Sequence, residues 1–353
     1  MKKLLQIKKI SHYKIANPTV NRLINELVGP EDTQTTAEHL QREMITTILK
    51  LKEDEIGIGD LKLMNTTLKE LRYSFKVFEP YRHVRKVAIF GSARTPRKHP
   101  DYIQARTFAK EIVKKGWMVI TGASSGIMNA GNEGAGREHS FGVNIRLPFE
   151  QDANPVIRGD LKLINYKYFF TRKLVFVRES DATVLCPGGF GTHDEGFETL
   201  TLVQTGKTNP RPIVCLDPPG SHYWEGWRDY IETELARGKM IDPDDIDLID
   251  FTHDPSEAAR IIERFYRNYH SVRFIRELFV LRLKKPISPK LLRSLNREFK
   301  ELVASGSIRQ RKDPFPEEMS ETHTHHLARL YFHYSRRRLV RIKKMIERIN
   351  LES

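Results

Sequence analysis

Cysteine is nearly absent from this 353-residue chain: only Cys186 and Cys215 occur, each at the end of a short apolar run. Two such residues make no disulfide framework and lack the paired spacing of a metal site. Both are read as core residues, in keeping with a reducing, cytoplasmic setting. Long apolar runs are also missing, and none approaches the roughly eighteen residues that cross a bilayer. Met1 to Lys9 carries charge but no apolar h-region, so a signal peptide is not expected there, nor is a membrane partner. Acidic residues are in deficit, with 45 Asp and Glu against 59 Lys and Arg, a net charge of +14. Most of the excess lies between Pro255 and Ser353. Such a segment can meet an anionic effector, nucleic acid or a membrane surface, or it can be a solvated helix face. Tyr331, Phe332 and Tyr334 fit a strand better than a base-stacking platform, so nucleic acid is not the expected partner.

The spacing of apolar residues divides the chain into three domains. Residues 1–85 read as a helical extension, with Leu61, Met64, Leu68, Leu71, Phe75 and Phe78 forming one stripe. That stripe is expected to pack on the next domain. Over residues 86–269, strands at Val87–Phe90, Gly116–Thr121, Ser140–Leu147, Ala182–Cys186 and Pro212–Leu216 alternate with helices. The alternation predicts an α/β domain with a parallel sheet covered on both faces. Residues 270–353 predict a basic α+β module in the order β-α-β-β-α, ferredoxin-like. Its elements are Glu277–Leu283, Ser288–Ala304, Ser307–Arg311, Leu327–Tyr334 and Arg336–Ile349. Arg336, Arg337, Arg338, Lys343, Lys344 and Arg348 are expected mostly on the outer side of the last helix.

One stretch carries more chemistry than the rest: Pro187-Gly188-Gly189-Phe190-Gly191-Thr192-His193-Asp194-Glu195. It lies between an apolar strand and a helix-spaced set, Phe197, Leu200, Leu202 and Val203. A glycine turn at a helix start leaves backbone N–H groups free beside the positive end of the helix dipole, which suits a phosphate. Glu195 then stands within the first turn. Gly91-Ser92 and Gly122…Gly126 form similar turns at other strand ends, the edge where ligands bind in open α/β sheets. A plain alternative makes Thr192 an N-cap and Glu195 its capping-box partner. That accounts for those two residues and leaves the three glycines without a reason. His193 is either a base contact or an ordinary first-turn histidine. His323, His325 and His326 lack the spacing of a closed metal site, so no metal is expected. Asp152, Asp160 and Asp181 read as surface or cap residues.

Pro187 to Glu195 resembles the PGGxGTxxE signature of the LOG family, Rossmann-like nucleotide phosphoribohydrolases often labelled lysine decarboxylases. Tyr168-Phe169-Phe170-Thr171-Arg172-Lys173 is similar to the family's Arg-Lys segment. Phe90-Gly91-Ser92-Ala93 and Thr121-Gly122…Gly126-Ile127-Met128 resemble its first two glycine turns. The similarity runs from about Lys86 to Glu263, and the combination is far more specific than a lone GxGxxG. It implies hydrolysis of the N-glycosidic bond of a nucleoside 5′-monophosphate to free base and ribose 5-phosphate, with no cofactor. It places Arg172 and Glu195 at catalytic positions. It places Gly91, Ser92, Gly122, Gly126, Lys173, Gly188, Gly189, Gly191 and Thr192 around the substrate. It also implies a homodimer or larger homo-oligomer. His193 and Gly196 stand where apolar residues are common, and Ala123-Ser124-Ser125 stands where glycines are frequent. These departures bear on base preference more than on reaction class. No lysine is placed for a cofactor Schiff base, so the decarboxylase label gains no support. The competing reading is a non-catalytic nucleotide sensor or carrier with the basic module as its output. Glu195 favours the hydrolase, because a binder needs the glycines but not that carboxylate.

Overall fold

The computed structural model describes residues 14–30, 35–146, 152–336 and 338–352. Met1 to Lys9, Leu147 and Arg337 lie outside the described residues. Two compact units divide between Lys69 and Glu70. The first holds α1 (Pro18–Val28), α2 (Thr36–Glu53) and the opening turns of α3 (Ile58–Phe78). Asn17 caps α1 by accepting from the Thr19 and Val20 N–H groups, and Thr35 with Glu38 closes a capping box at α2. The expected stripe on α3 splits. Leu61, Met64 and Leu68 are exposed. Phe78, at the other end, is buried and stacks on Phe141 at 4.3 Å.

The second unit is built on seven parallel strands. They are β1 (Lys86–Phe90), β2 (Met118–Thr121), β3 (Ser140–Ile145), β4 (Leu163–Tyr166), β5 (Ala182–Leu185), β6 (Ile213–Leu216) and β7 (Ile249–Thr252). Their order is β4-β3-β2-β1-β5-β6-β7. Between them run α4 (Pro100–Lys114), α5 (Ile127–Ala135), α6 (Phe169–Glu179), α7 (Phe190–Gln204), α8 (Tyr223–Tyr230) and α9 (Pro255–Phe265). Val87, Ile89, Val119 and Val184 face one core with residues of α4, α5 and α9. Ala88, Phe90, Ile120 and Leu185 face the other, with Val175, Phe176 and Val203. Apolar residues on both faces are why these strands read as unbroken hydrophobic runs. The result is a Rossmann-like, doubly wound sheet whose strand order reverses between β1 and β5, where ligand crevices open. β4 and β7 are edge strands beyond the five read from the sequence.

The chain continues into β8 (Tyr269–Ile275), β9 (Leu278–Leu283), α10 (Pro289–Glu298), β10 (Val303–Arg311), β11 (Ala328–Tyr334) and α11 (Val340–Leu351). The strands form an antiparallel sheet in the order β10-β11-β9-β8. The expected β-α-β-β-α order is present, with β8 added in front of it. The helix expected over 288–304 stops at Glu298, because a turn at Lys300–Leu302 leads into β10. Ile342, Met345, Ile346 and Ile349 of α11 share a core with Ala258, Ile262 and Phe265 of α9. One expectation is overturned here. Lys343 is not on the outer side of α11 but buried, its Nζ donating to the Asp247 carbonyl at 2.8 Å and Asp250 Oδ2 at 2.9 Å. Arg336 and Arg338 precede α11 and take positive φ of 59° and 55°.

Candidate active site

A cleft of about 760 Å³ opens at the carboxyl ends of the central strands. Three glycine turns meet there. The turn after β1 is tied to the turn after β5 by Ser92 N–H donating to the Pro187 carbonyl at 3.0 Å. It is tied to the turn after β2 by Ile127 N–H donating to the Ser92 carbonyl at 3.0 Å. Packing this close excludes side chains. A Cβ on Gly126, which has φ +62°, would fall 2.2 Å from the Ser92 oxygen. A Cβ on Gly188 would fall 2.1 Å from Thr192 Oγ1 and 2.9 Å from the Ser92 nitrogen. Gly189 and Gly191 differ. A Cβ on either would meet nothing within 4 Å, and neither has a positive φ. Nothing in the protein itself requires glycine at those two positions.

The start of α7 overturns the capping reading. Gly189 is the N-cap and makes no side-chain cap bond, and Thr192 lies inside the helix. The Gly189 carbonyl accepts from Thr192 and His193 N–H, at 3.0 and 3.3 Å. Among the described residues, no protein acceptor is recorded for the N–H groups of Gly189, Phe190 and Gly191. They are the open donors of a helix start. Glu195 is not spent on a capping box, so its carboxylate is available to the cleft.

Gly91, Ser92, Gly122, Gly188, Gly189, Gly191, Thr192, Arg172 and Glu195 all line this cleft. Gly126 lies beneath it, against Ser92. Lys173 turns aside, to Asp194 at 2.7 Å and Glu198 at 3.0 Å, with Glu195 Oε2 3.9 Å away. Glu195 is 3% exposed. Burial raises its pKa to about 6, against the opposing pull of Lys173 and Arg172. Burial acts to lower Lys173, but its carboxylate neighbours outweigh that and hold it above the usual lysine value. The Arg172 guanidinium lies 5.0 Å from the centre of the Phe169 ring. The arrangement joins open N–H donors, a cation and a carboxylate of raised pKa in one cleft.

Other lining residues are assigned no role from the sequence, and Asn144 and Phe176 lie outside every motif read there. Ser124, Met128, Asn144, Phe169, Phe176 and Phe190 belong to this cleft. Two more residues support it from outside. Glu70 accepts from Lys167 N–H at 2.6 Å and Thr171 Oγ1 at 2.5 Å, holding the start of α6. Tyr223 donates to the Gly188 carbonyl at 2.5 Å. Asp160 is paired with Lys162 and Arg137, and Asp181 with Arg85. Among the described residues, no group of three His, Cys, Asp or Glu could hold a metal ion.

Comparison with known proteins bears out the resemblance in this region. The family model described as "Possible lysine decarboxylase" matches residues 120–262. The chain is 27% identical over 160 residues to the probable cytokinin riboside 5′-monophosphate phosphoribohydrolase LOG6 of Arabidopsis thaliana, covering 44% of this chain and 77% of that protein. It is 25% identical over 191 residues to the probable cytokinin riboside 5′-monophosphate phosphoribohydrolase LOGL2 of Oryza sativa subsp. japonica, covering 53% and 76%. Among solved structures, the molybdenum cofactor carrier protein of Chlamydomonas reinhardtii is similar at 18% identity. That match covers 51% of this chain and 97% of that one, with a TM-score of 0.36. No helix among the described residues is long and apolar enough to cross a membrane.

Proposed function

Given a sheet domain related to the LOG phosphoribohydrolases, we propose that this protein hydrolyses a nucleoside 5′-monophosphate to free base and ribose 5-phosphate. The observation that carries the proposal is the position of Glu195. It is a buried carboxylate, unused by the helix cap, in the same cleft as the open N–H groups of Gly189 and Gly191. The glycine turns would hold the 5′-phosphate and so fix the ribose against that carboxylate. As the C1′–N bond lengthens, its electron pair goes to the base and positive charge builds on the ribose, as in glycoside cleavage. Ionised Glu195 stabilises that charge and takes a proton from the attacking water, whose oxygen bonds to C1′. The departing base takes up a proton. Arg172, with its planar fork, suits a phosphate or ribose oxygen. Lys173, held as a cation by carboxylates, is suited to electrostatic support and not to Schiff-base chemistry.

We also propose a homodimer or larger homo-oligomer. Phe169, Phe170 and Leu174 on α6 and Phe190 and Phe197 on α7 are exposed large hydrophobic residues on adjoining elements. Light scattering showing only the 41.1 kDa chain at micromolar concentration would contradict it. An anionic effector on the basic C-terminal module belongs to the same reading. Its test is a change in turnover on adding nucleotides to the full chain; a chain ending near Tyr269 should either lose solubility or lose that response.

The deciding experiment incubates the pure protein with a panel of nucleoside 5′-monophosphates and their nucleosides and measures released base. Turnover of a monophosphate, with its nucleoside far poorer, is expected. Equal turnover of both sinks the phosphate anchor. Tight nucleotide binding with no base released favours a carrier or sensor.

A further inference from the structure

A short relay of hydrogen bonds meets the glycine loop. The phenol oxygen of Tyr223, the first residue of α8, lies 2.5 Å from the Gly188 carbonyl and 2.8 Å from His193 Nε2. A carbonyl only accepts, so the single phenol proton goes to Gly188. His193 Nε2 must then be the donor to the phenol, which assigns the hydrogen of the neutral ring to that nitrogen. Burial lowers the His193 pKa, which favours the neutral ring. Phe197 and Trp224 flank the ring.

This relay has a consequence for the loop. The peptide between Gly188 and Gly189 is trans, and a trans peptide points its C=O and N–H in opposite directions. Holding the Gly188 carbonyl on Tyr223 therefore turns the Gly189 N–H away from Tyr223. Gly189 lines the cleft, as His193 does, while Tyr223 does not. The donor is thus aimed before any ligand arrives, which reduces the cost of ordering the loop on binding. A glycine pair has little backbone preference of its own, so an outside hold is needed there.

We propose that Tyr223, itself held by His193, is a positioning residue that fixes the Gly188–Gly189 peptide for a phosphate oxyanion. The proposal rests on the phosphoribohydrolase reading only for the identity of the phosphate's owner. It also commits the Nε2 hydrogen of His193, a residue that lines the cleft, to the phenol.

The test uses the full-length chain and two readouts: Kd for ribose 5-phosphate by calorimetry, and kcat and KM for the best monophosphate. Tyr223→Phe keeps the ring and removes the hydroxyl. It should raise Kd and KM by about fivefold, the effect of one neutral hydrogen bond, and leave kcat within about twofold. His193→Leu should give a smaller rise. In the Tyr223→Phe background His193→Leu should add nothing further, because it acts through the phenol. A purely structural role would instead lower the melting temperature and kcat and give additive losses. Unchanged Kd in Tyr223→Phe, or additive losses in the double variant, overturns the proposal. A wild type that binds ribose 5-phosphate but releases no base sinks the enzymatic reading alone, and the Kd series still decides this one. A wild type that binds no ribose 5-phosphate overturns both.

Discussion

An Arg172 guanidinium nitrogen stands 3.3 Å from Glu195 Oε1, with only 14% and 4% of the two side chains exposed. The contact joins α6 to α7. Two cations near a carboxylate would ordinarily depress its pKa, yet Glu195 is raised to about 6 because burial outweighs them. The balance leaves most of Glu195 ionised near neutral pH while keeping it able to take a proton, the compromise a general base needs.

The first prediction follows from that balance. Glu195→Gln should lower kcat by on the order of a hundredfold or more while leaving the Kd for ribose 5-phosphate nearly unchanged. The charge is needed only as positive charge develops on the ribose. In the wild type, kcat/KM should fall as pH drops below about 6, when Glu195 takes up its proton. A Gln variant with near-normal turnover would move the catalytic role elsewhere.

The same group makes a prediction about stability. Its folded pKa, about 6, lies above the ordinary 4.5, so the folded state holds the proton more tightly than the unfolded chain does. The stability from that proton is fully present below about pH 4.5 and is lost as pH rises through about 6. The loss is about 2 kcal/mol. Glutamine carries no such loss. Glu195→Gln should therefore melt higher than wild type at pH 7.5 and lose that advantage near pH 4. An advantage that does not change with pH would contradict the electrostatic account.

Glycine substitutions should separate packing from ligand contact. Gly188→Ala forces a Cβ to 2.1 Å from Thr192 Oγ1, so it should lower the melting temperature. Gly191→Ala meets nothing within 4 Å and replaces glycine inside α7, where alanine is favoured by up to about 1 kcal/mol. It should hold or raise the melting temperature and still weaken ribose 5-phosphate binding, by crowding the loop's approach to the ligand. Calorimetry and melting curves on both variants check this. Intact binding in Gly191→Ala would remove that glycine from the site.

How much of this was readable in advance varies by residue. Val87-Ala88-Ile89-Phe90 announces a central strand because all four side chains are buried, on alternate faces of the sheet. Asn165 in β4 and Asp250 in β7 interrupt that pattern, since an edge strand needs less apolar cover. Phe299 and Leu302 continue the helical spacing of α10, but they enter the core through a tight turn instead. Thr192 and Glu195 have capping-box spacing, yet the chain turns three residues earlier, at Gly189, and spacing alone does not fix the first helical residue. Tyr223 is 35 residues from Gly188. Only the fold brings that phenol to the loop.

Glu70 should matter to turnover without touching the cleft. Its carboxylate holds Lys167 N–H and Thr171 Oγ1, in the segment that leads directly into the Arg172–Lys173 pair. Glu70→Ala frees the start of α6 and lets Arg172 drift. A shift on the order of an ångström is enough for kcat/KM to fall about tenfold or more. Glu70→Gln keeps one acceptor and should recover part of the loss. Wild-type kinetics in Glu70→Ala would show that α6 is held by packing alone.

The attachment of the C-terminal module gives the last prediction. Lys343 of α11 has its ammonium on both a carbonyl, Asp247, and a carboxylate, Asp250, with 4% of its side chain exposed. Removing one partner of a buried pair costs more than the pair contributes, because the remaining group keeps its desolvation penalty. Lys343→Ala should therefore destabilise the protein by about 3 kcal/mol. Asp250 is 26% exposed on its side chain, so water can take over part of its solvation. Asp250→Asn, which keeps an acceptor for the ammonium, should cost clearly less than Lys343→Ala. Deleting the chain after Arg338 removes Ile342, Met345, Ile346 and Ile349 from the core they share with Ala258, Ile262 and Phe265. That truncation should lose solubility, because it opens an apolar face on α9. Melting curves for the two point variants and soluble yield for the truncation are the measurements. A soluble truncation with wild-type melting would mean that the sheet domain does not need this module to close its core.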